Sequence, residues 1–442
     1  MSEALPIASE TAPGPSPEKH SFNLGLFGKT PPFTSRQWRI FLIVATAGFF
    51  DNYDAALLSL ALKQIQAGLK IAEAHLGGVL SLIKIGYVAA IALTPFADVF
   101  GRRRLLLYTI IGYTIFTGLS AIAPDERAFV VCQMIARAFA GAEAVVALVI
   151  LTEEVDAASR GWAVGLLQAL TSAGYGLAAL VFSLINVIPF GWRGLYALAL
   201  IPLAVIIPLR RTLPESRRFE RENLEGLRPS NVFQPLRALF AAYPRRLAIV
   251  TGVSFLIAMG DASPGLLFAK YLQEAHGWTP GSVSSLYFLG GGLGILGAIV
   301  SGRVSDKFGR RRAGVLSLIA APVLTVWIYS ARDWTVIPAW ILQLFFDSAS
   351  WTIVAAYSTE LFPTSYRSTA ASVRAVSAMI GGALGLFLEG ILYTHVGSHW
   401  TAVRILTVFW MMAPIVLGLT FPETAGRELE AISPEESART VS

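Results

Sequence analysis

The sequence predicts an all-α membrane protein whose twelve transmembrane helices form two pseudo-symmetric six-helix bundles, both termini cytoplasmic. Three observations carry this. The 442 residues are 54% hydrophobic and only 14% charged, against roughly 25% charged in soluble domains. Twelve apolar runs fall at about 38–65, 76–97, 104–124, 128–152, 161–186, 192–209, 247–270, 281–302, 312–331, 334–359, 368–393 and 399–421, close to the roughly 20 residues that cross a bilayer. A repeat joins the halves. Ala97-Asp-Val-Phe-Gly-Arg-Arg-Arg104 returns 208 positions later as Ser305-Asp-Lys-Phe-Gly-Arg-Arg-Arg312, Pro214-Glu215-Ser216 returns at the same offset as Pro422-Glu423-Thr424, and Glu154 with Arg160 returns as Glu360 with Arg367. Near-constant spacing at three places implies two halves related by an axis along the membrane normal.

Residues 1–36 carry six prolines among Ser, Glu and Lys and no apolar stretch before a cleavage site, which predicts a disordered cytoplasmic tail without a cleavable signal. Residues 37–209 make the first bundle, 210–245 a cytoplasmic linker, 246–422 the second bundle and 423–442 a second tail. The first apolar run contains Asp51 and Asp54. A charge near the bilayer centre costs about 3 kcal/mol on insertion scales, and the i, i+3 spacing puts both acids on one helix face, so they are expected to look into protein or a wet cavity. Arg102, Arg103 and Arg104 follow the second run, and Arg303, Lys307, Arg310, Arg311 and Arg312 surround the end of the eighth. Nine Arg run from Arg210 to Arg246 across the linker and its end, whereas the opposite connections are poorer, as at Asp125-Glu126-Arg127. This distribution orients a cytoplasmic-membrane protein by the positive-inside rule and argues against nucleic acid as the partner of the +6 net charge. The linker reads either as helices lying on the inner membrane surface or as a solvated connection.

The Asp-x-x-Gly-Arg-Arg loops join two helices in very few residues. Gly101 and Gly309 permit the tight turn. Asp98 and Asp306 can offer a carboxylate to a helix N-terminus or to an Arg, and the Arg runs anchor the inner face. A latch that breaks as the halves rock explains the Asp and Gly better than anchoring does.

At this point the pattern resembles the major facilitator superfamily, from Trp38 to about Leu429. The loop signature Gly-x-x-x-Asp-x-x-Gly-Arg-Arg is complete at Gly302, Asp306, Gly309, Arg310 and Arg311; the first copy has Thr94 in place of its first Gly. Arg137-x-x-x-Gly141, Pro214-Glu215-Ser216-Arg217-Arg218, Thr359-Glu360-Leu361-Phe362-Pro363-Thr364 with Arg367, and Pro422-Glu423-Thr424-Ala425-Gly426-Arg427 are similar to the sugar-porter-related branch. Asp51-Asn52-Tyr53-Asp54 is similar to the Asp-Gly-x-Asp of aromatic-acid/proton symporters. Gln168 and Gly174 fit a sugar-porter pattern, but Phe255–Asp261 lacks the paired Gln of sugar binders. The resemblance implies a transporter rather than an enzyme, with no cofactor beyond a proton gradient, acting as a monomer on a small-molecule substrate. An organic acid is the first candidate, and a sugar, polyol or organic cation the alternative.

Counting about 1.5 Å of rise per residue places Asp54, Lys84, Arg137, Asp261 and Asp347 in one layer roughly 12 to 20 Å below the outer boundary. Glu143 lies deeper, Arg374 towards the cytoplasm, and Asp51 one turn inward of Asp54. Charges of the two signs come close to balance, as a low-dielectric cavity requires. Asp54 with Asp51 is the candidate proton-exchanging pair and Arg137 its modulator, a pairing that the resemblance also implies; a permanent salt bridge is the other reading. Lys84, Arg137 and Arg374 can meet a substrate anion, unless Asp54, Glu143 or Asp347 occupies them. Glu143, Gln168, Asp261, Gln343, Asp347 and Trp351, with Tyr53, Tyr175, Tyr287 and Tyr357, supply polar and aromatic contacts. Gly292-Leu-Gly294-Ile-Leu-Gly297 matches a dinucleotide fingerprint but lies inside a span, and Gly28-Lys29-Thr30 lacks the first Gly of a phosphate loop. The five His show no metal-ligand spacing, and the single Cys132 can form no internal disulfide.

Overall fold

The computed structural model describes residues 19–20, 30–93, 102–211, 234–425 and 432–433. Among them the chain runs as α1 (Ser35–Leu60), α2 (Leu62–Leu69), α3 (Glu73–Leu93), α4 (Arg102–Ala121), α5 (Glu126–Glu154), α6 (Ala157–Phe182), α7 (Trp192–Arg211), α8 (Gln234–Ala242), α9 (Pro244–Ala275), α10 (Pro280–Phe308), α11 (Arg310–Ile328), α12 (Val336–Glu360), α13 (Arg367–Val396) and α14 (His399–Thr420). A two-residue antiparallel pairing of β1 (Lys19–His20) with β2 (Phe33–Thr34) precedes them. Nine of the described helices are long and apolar enough to cross a membrane, and a bent pair raises this to ten.

Local chemistry sets the ends. The Thr34 hydroxyl accepts from the Gln37 amide while the Gln37 side chain accepts from the Thr34 amide, a capping box that starts α1 at Ser35. The first apolar run does not continue as one helix to residue 65. After Ala61 the chain turns into α2, which buries Leu62, Ile65, Gln66 and Leu69 and ends at Lys70 in the left-handed region, φ 53°. Helices α2 and α3 meet at 114°, so the chain lies against the outer side before re-entering. Asp125 caps α5 by accepting from the Ala128 amide at 2.8 Å. Most of the linker, residues 212–233, lies outside the described residues; its end forms α8, whose fully buried Leu239 joins the core built around Leu247, Val250, Leu318 and Phe362.

The repeat reproduces its tightest packing. In the first half α6 crosses α1 where a side chain on Gly174 would strike the Phe49 carbonyl, and in the second α13 crosses α9 where one on Gly381 would strike that of Phe255. The halves meet on the side opposite the Arg-rich loops. There the Ser59 hydroxyl donates to the carbonyls of Gly265 and Leu266, each at 3.2 Å, and Gln64 donates to the Gln273 side chain at 2.6 Å. These partners are 206 to 209 residues apart, close to the repeat offset, so α1 and α9 touch through their own counterparts, as a two-fold relation requires at its axis. Further out Ser81 donates to the Ala383 carbonyl at 2.7 Å, and the backbones of Gly77 and Gly390 lie in contact. Tyr175 of α6 stacks on Tyr287 of α10, centroids 5.8 Å apart and planes at 14°, closing the space between the halves from that side.

Candidate functional site

Within the first half, α1 and α5 bring the expected pair together. Arg137 Nη2 lies 2.9 Å from Asp54 Oδ2, with the two side chains 1% and 0% exposed. The guanidinium also donates to Gln133 Oε1 at 3.0 Å, to the Asp54 carbonyl at 3.3 Å and to the Tyr87 hydroxyl at 3.4 Å. A side chain on Gly86 would run into the Met134 carbonyl and Arg137 Cβ, so glycine on α3 lets α5 come near enough for Tyr87 to reach. Asp51, one turn inward, stands within electrostatic reach of Arg137, Glu143 and Asp54.

The predicted single layer resolves into two groups. Lys84 extends from α3 across to the second half, where Asp261 is the acid facing it. Its path runs over Gly382 of α13, where a Cβ would stand 2.5 Å from Lys84 Cε. A side chain at position 382 would block that path. Gln343, Asp347 and Trp351 recur every fourth residue on α12, and Trp351 stands against both Asp261 and Asp347. Arg374 of α13 is half-buried, and its Nε is buried without a hydrogen-bond partner. Gln168 is exposed, its backbone carbonyl accepting from Thr171 and Ser172. Tyr53 is buried in the core of the outer half. Tyr357 sits at the inner end, its hydroxyl donating to the Pro422 carbonyl at 3.2 Å.

On the inner side Asp98 and Gly101 lie outside the described residues, as do the side chains of Arg102 and Arg160. Glu154 binds Arg36 at 3.0 Å. In the second half Arg310 joins Asp306 at 3.1 Å and Glu360 at 2.6 Å, and the Thr424 hydroxyl donates to Glu360 at 2.6 Å. Arg367 donates to the Phe362 carbonyl at 3.2 Å. The carboxylate at the start of α11 comes not from Asp306 but from Glu423, which accepts from the amides of Arg310 at 2.8 Å and Arg311 at 3.2 Å. Burial opposes its ionisation, yet the amides of Ala425, Arg310, Arg311 and Thr424 hold the Glu423 carboxyl below its ordinary value. Gly309 turns at φ 100°, where a Cβ would lie 2.6 Å from Glu423 Oε2. A cavity of about 430 Å³ opens beside this hub, between Arg245, Arg246, Leu361, Phe421 and Thr424, and is distinct from the interior charges.

Sequence reasoning missed a second charged cluster, at the outer joint. Lys270, fully buried at its side chain, contacts Glu73 at 2.8 Å and Glu274 at 3.1 Å. His399 contacts Glu73 at 2.9 Å and Glu389 at 2.6 Å. Lys270 and Glu389 inside apolar runs were the legible signal; His399, judged only for metal spacing, was not. Among the described residues no group of three or more His, Cys, Asp or Glu is arranged to hold a metal ion.

The chain matches the Major Facilitator Superfamily over residues 44–250 and 250–437. It is 23% identical to a candidate niacin/nicotinamide transporter of Bacillus subtilis over 91% of this chain and 100% of that protein. It is 25% identical to the cis,cis-muconate transport protein of Acinetobacter baylyi over 81% of this chain and 88% of that one. Its fold superposes on the inward-open xylose transporter of E. coli with a TM-score of 0.71 at 18% identity, covering 90% of this chain and 99% of the other.

Proposed function

As the chain belongs to the Major Facilitator Superfamily, and is thus a multi-pass transporter of the cytoplasmic membrane, we propose that it carries a small organic acid together with protons by alternating access. The buried Asp54–Arg137 pair at 2.9 Å is the observation that carries this reading. An ion pair with almost no exposure is stable only while both partners stay charged and close. A conformational change that moves Arg137 away leaves Asp54 a buried carboxylate, for which taking a proton is the cheaper state. Among the described residues the interior offers Asp51, Asp54, Asp261 and Asp347 against Lys84, Arg137 and Arg374, so these acids exceed the cations by one and have capacity for a proton.

The substrate class follows from what is left over. Arg374 keeps a buried, unpartnered Nε, and an N–H in that position favours a ligand that accepts hydrogen bonds and brings negative charge. Lys84, Trp351 and the stacked Tyr175 and Tyr287 suit a flat carboxylate. The relatives named for niacin and for muconate support an organic acid. The halves are bonded on the outer side, whereas Arg36–Glu154 and Arg310–Glu360 each lie within one half on the inner side; this supports an inward-facing state.

Counterflow in proteoliposomes tests the reading. Benzoate-like acids should exchange and hexoses should not, and Asp54→Asn should abolish accumulation driven by a pH gradient while leaving exchange. Accumulation by that variant at the wild-type level would remove proton coupling from Asp54. Exchange of hexoses alone would move the assignment to sugars.

A further inference from the structure

The outer cluster is unused by the interior mechanism. Glu73 begins α3 in the first half; Lys270 and Glu274 lie near the end of α9, Glu389 near the end of α13 and His399 at the start of α14, all in the second half. His399 stands between two carboxylates, with Nδ1 2.6 Å from Glu389 Oε1 and Nε2 2.9 Å from Glu73 Oε2. Glu389 is 0% exposed and His399 4%, so the contact between them is shut off from water, while Glu73 keeps one edge at the outer solvent.

Proton counting then constrains the bridge. A neutral imidazole has one N–H and one lone pair. Between two ionised carboxylates, one of its contacts would set lone pair against lone pair at hydrogen-bond distance in a poorly solvated place. Both contacts become hydrogen bonds only when the three groups share one more proton, whether it resides on the imidazole or on a carboxyl. The surroundings accommodate it. Glu73, Glu274 and Glu389 face Lys270 and His399, Gln66 also reaches Glu73, Tyr329 just past the end of α11 faces Glu389, and the Tyr393 ring stacks on the imidazole at 4.1 Å. When the outer side opens, Glu73 leaves with the first half. His399 then needs only one N–H, for Glu389, and the extra proton is no longer required.

We propose that Glu73, His399 and Glu389 form a second proton-binding site in the outer gate, filled when the gate shuts and emptied when it opens. Glu73, 42% exposed at its side chain, gives the proton its path to and from outer water. Because closing takes up a proton, acid outside favours the shut gate by linkage. The proposal rests on alternating access and is independent of which substrate is carried.

Spin labels at Ala72→Cys and Ala275→Cys in a Cys132→Ser background, with distances measured by double electron–electron resonance from about pH 5 to about pH 8, read the outer gate around the ordinary histidine range. The shut fraction should fall with rising pH, the shut-to-open ratio changing by up to about tenfold per pH unit, as for one proton. Glu389→Gln should keep the gate shut at every pH, because its amide donates to Nδ1 and the neutral imidazole donates to Glu73. His399→Gln should flatten the dependence, with a thermal melt confirming that the variant is folded. These profiles are read in an Asp54→Asn background, so that the proton of the interior acid does not enter the slope. A flat profile in the Asp54→Asn background, or a sloping profile once Glu389→Gln is added to it, would overturn the proposal, whereas persistence of coupled uptake in Asp54→Asn would overturn only the interior reading.

Discussion

Glu423→Ala should loosen the first turn of α11 and little else. The carboxylate receives the amides of Arg310 at 2.8 Å and Arg311 at 3.2 Å, and those of Thr424 and Ala425 each at 3.1 Å. Loss of a helix cap costs about 1 kcal/mol, and hydrogen bonds to a charged group are worth about 1.5–3 kcal/mol. Partial exposure discounts the upper end, leaving about 1–2 kcal/mol, or about 5- to 30-fold in local opening. Hydrogen exchange of peptides covering residues 310–312, corrected for intrinsic rates, should show that loss of protection. Glu423→Gln retains one acceptor oxygen and should fall between. Since the folded carboxyl titrates below its ordinary value, its contribution is complete above the unfolded value of about 4.3. It is lost as pH falls through the lower folded value. The wild type should therefore loosen there on acidification and Glu423→Gln should not. Wild-type exchange rates in Glu423→Ala, or acid loosening retained in Glu423→Gln, would refute this account of the loop.

Arg137→Met strands Asp54 in a site with 0% exposure and should cost about 3–5 kcal/mol, seen as a lower melting temperature in detergent; adding Asp54→Asn should recover most of it without restoring transport. Gly77→Val places a Cβ 2.6 Å from the Leu386 carbonyl, so it should wedge the outer joint apart, lengthen the distance between outer labels and stop net uptake; an unchanged distance would mean that the helices yield instead. Arg374→Met removes a donor worth about 1.5–3 kcal/mol to an anion and should raise KM for the transported acid by about 10- to 100-fold, with little effect on stability.

The architecture was legible because its signals are long-range and redundant: apolar length, the sign of the loop charges and a repeat read at three places. The break at Ala61 was not, since α2 is apolar enough to extend the preceding run and only packing shows that its buried face lies across the outer surface. The Asp54–Arg137 pairing was readable as acid and base at one depth. The partner of Lys84 was not, because depth does not report direction, and the space above Gly382 that admits the lysine to the second half exists only after α3 and α13 are packed. Glu423 was visible as part of a repeated motif, but two of the amides it receives, those of Arg310 and Arg311, belong to residues more than a hundred positions away. The outer cluster gathers five residues from four helices, and no local pattern announces such a meeting.

Where Gly77 rests on Gly390, two helices of opposite halves touch through bare backbone, with no side chain lodged in a socket. A seam of that kind works as a bearing. It can part or roll without tearing interlocked hydrocarbon, so little resistance comes from the sliding surface itself. Control of the motion passes to the few polar clasps along its rim, where hydrogen bonds rather than packed hydrocarbon set the resistance.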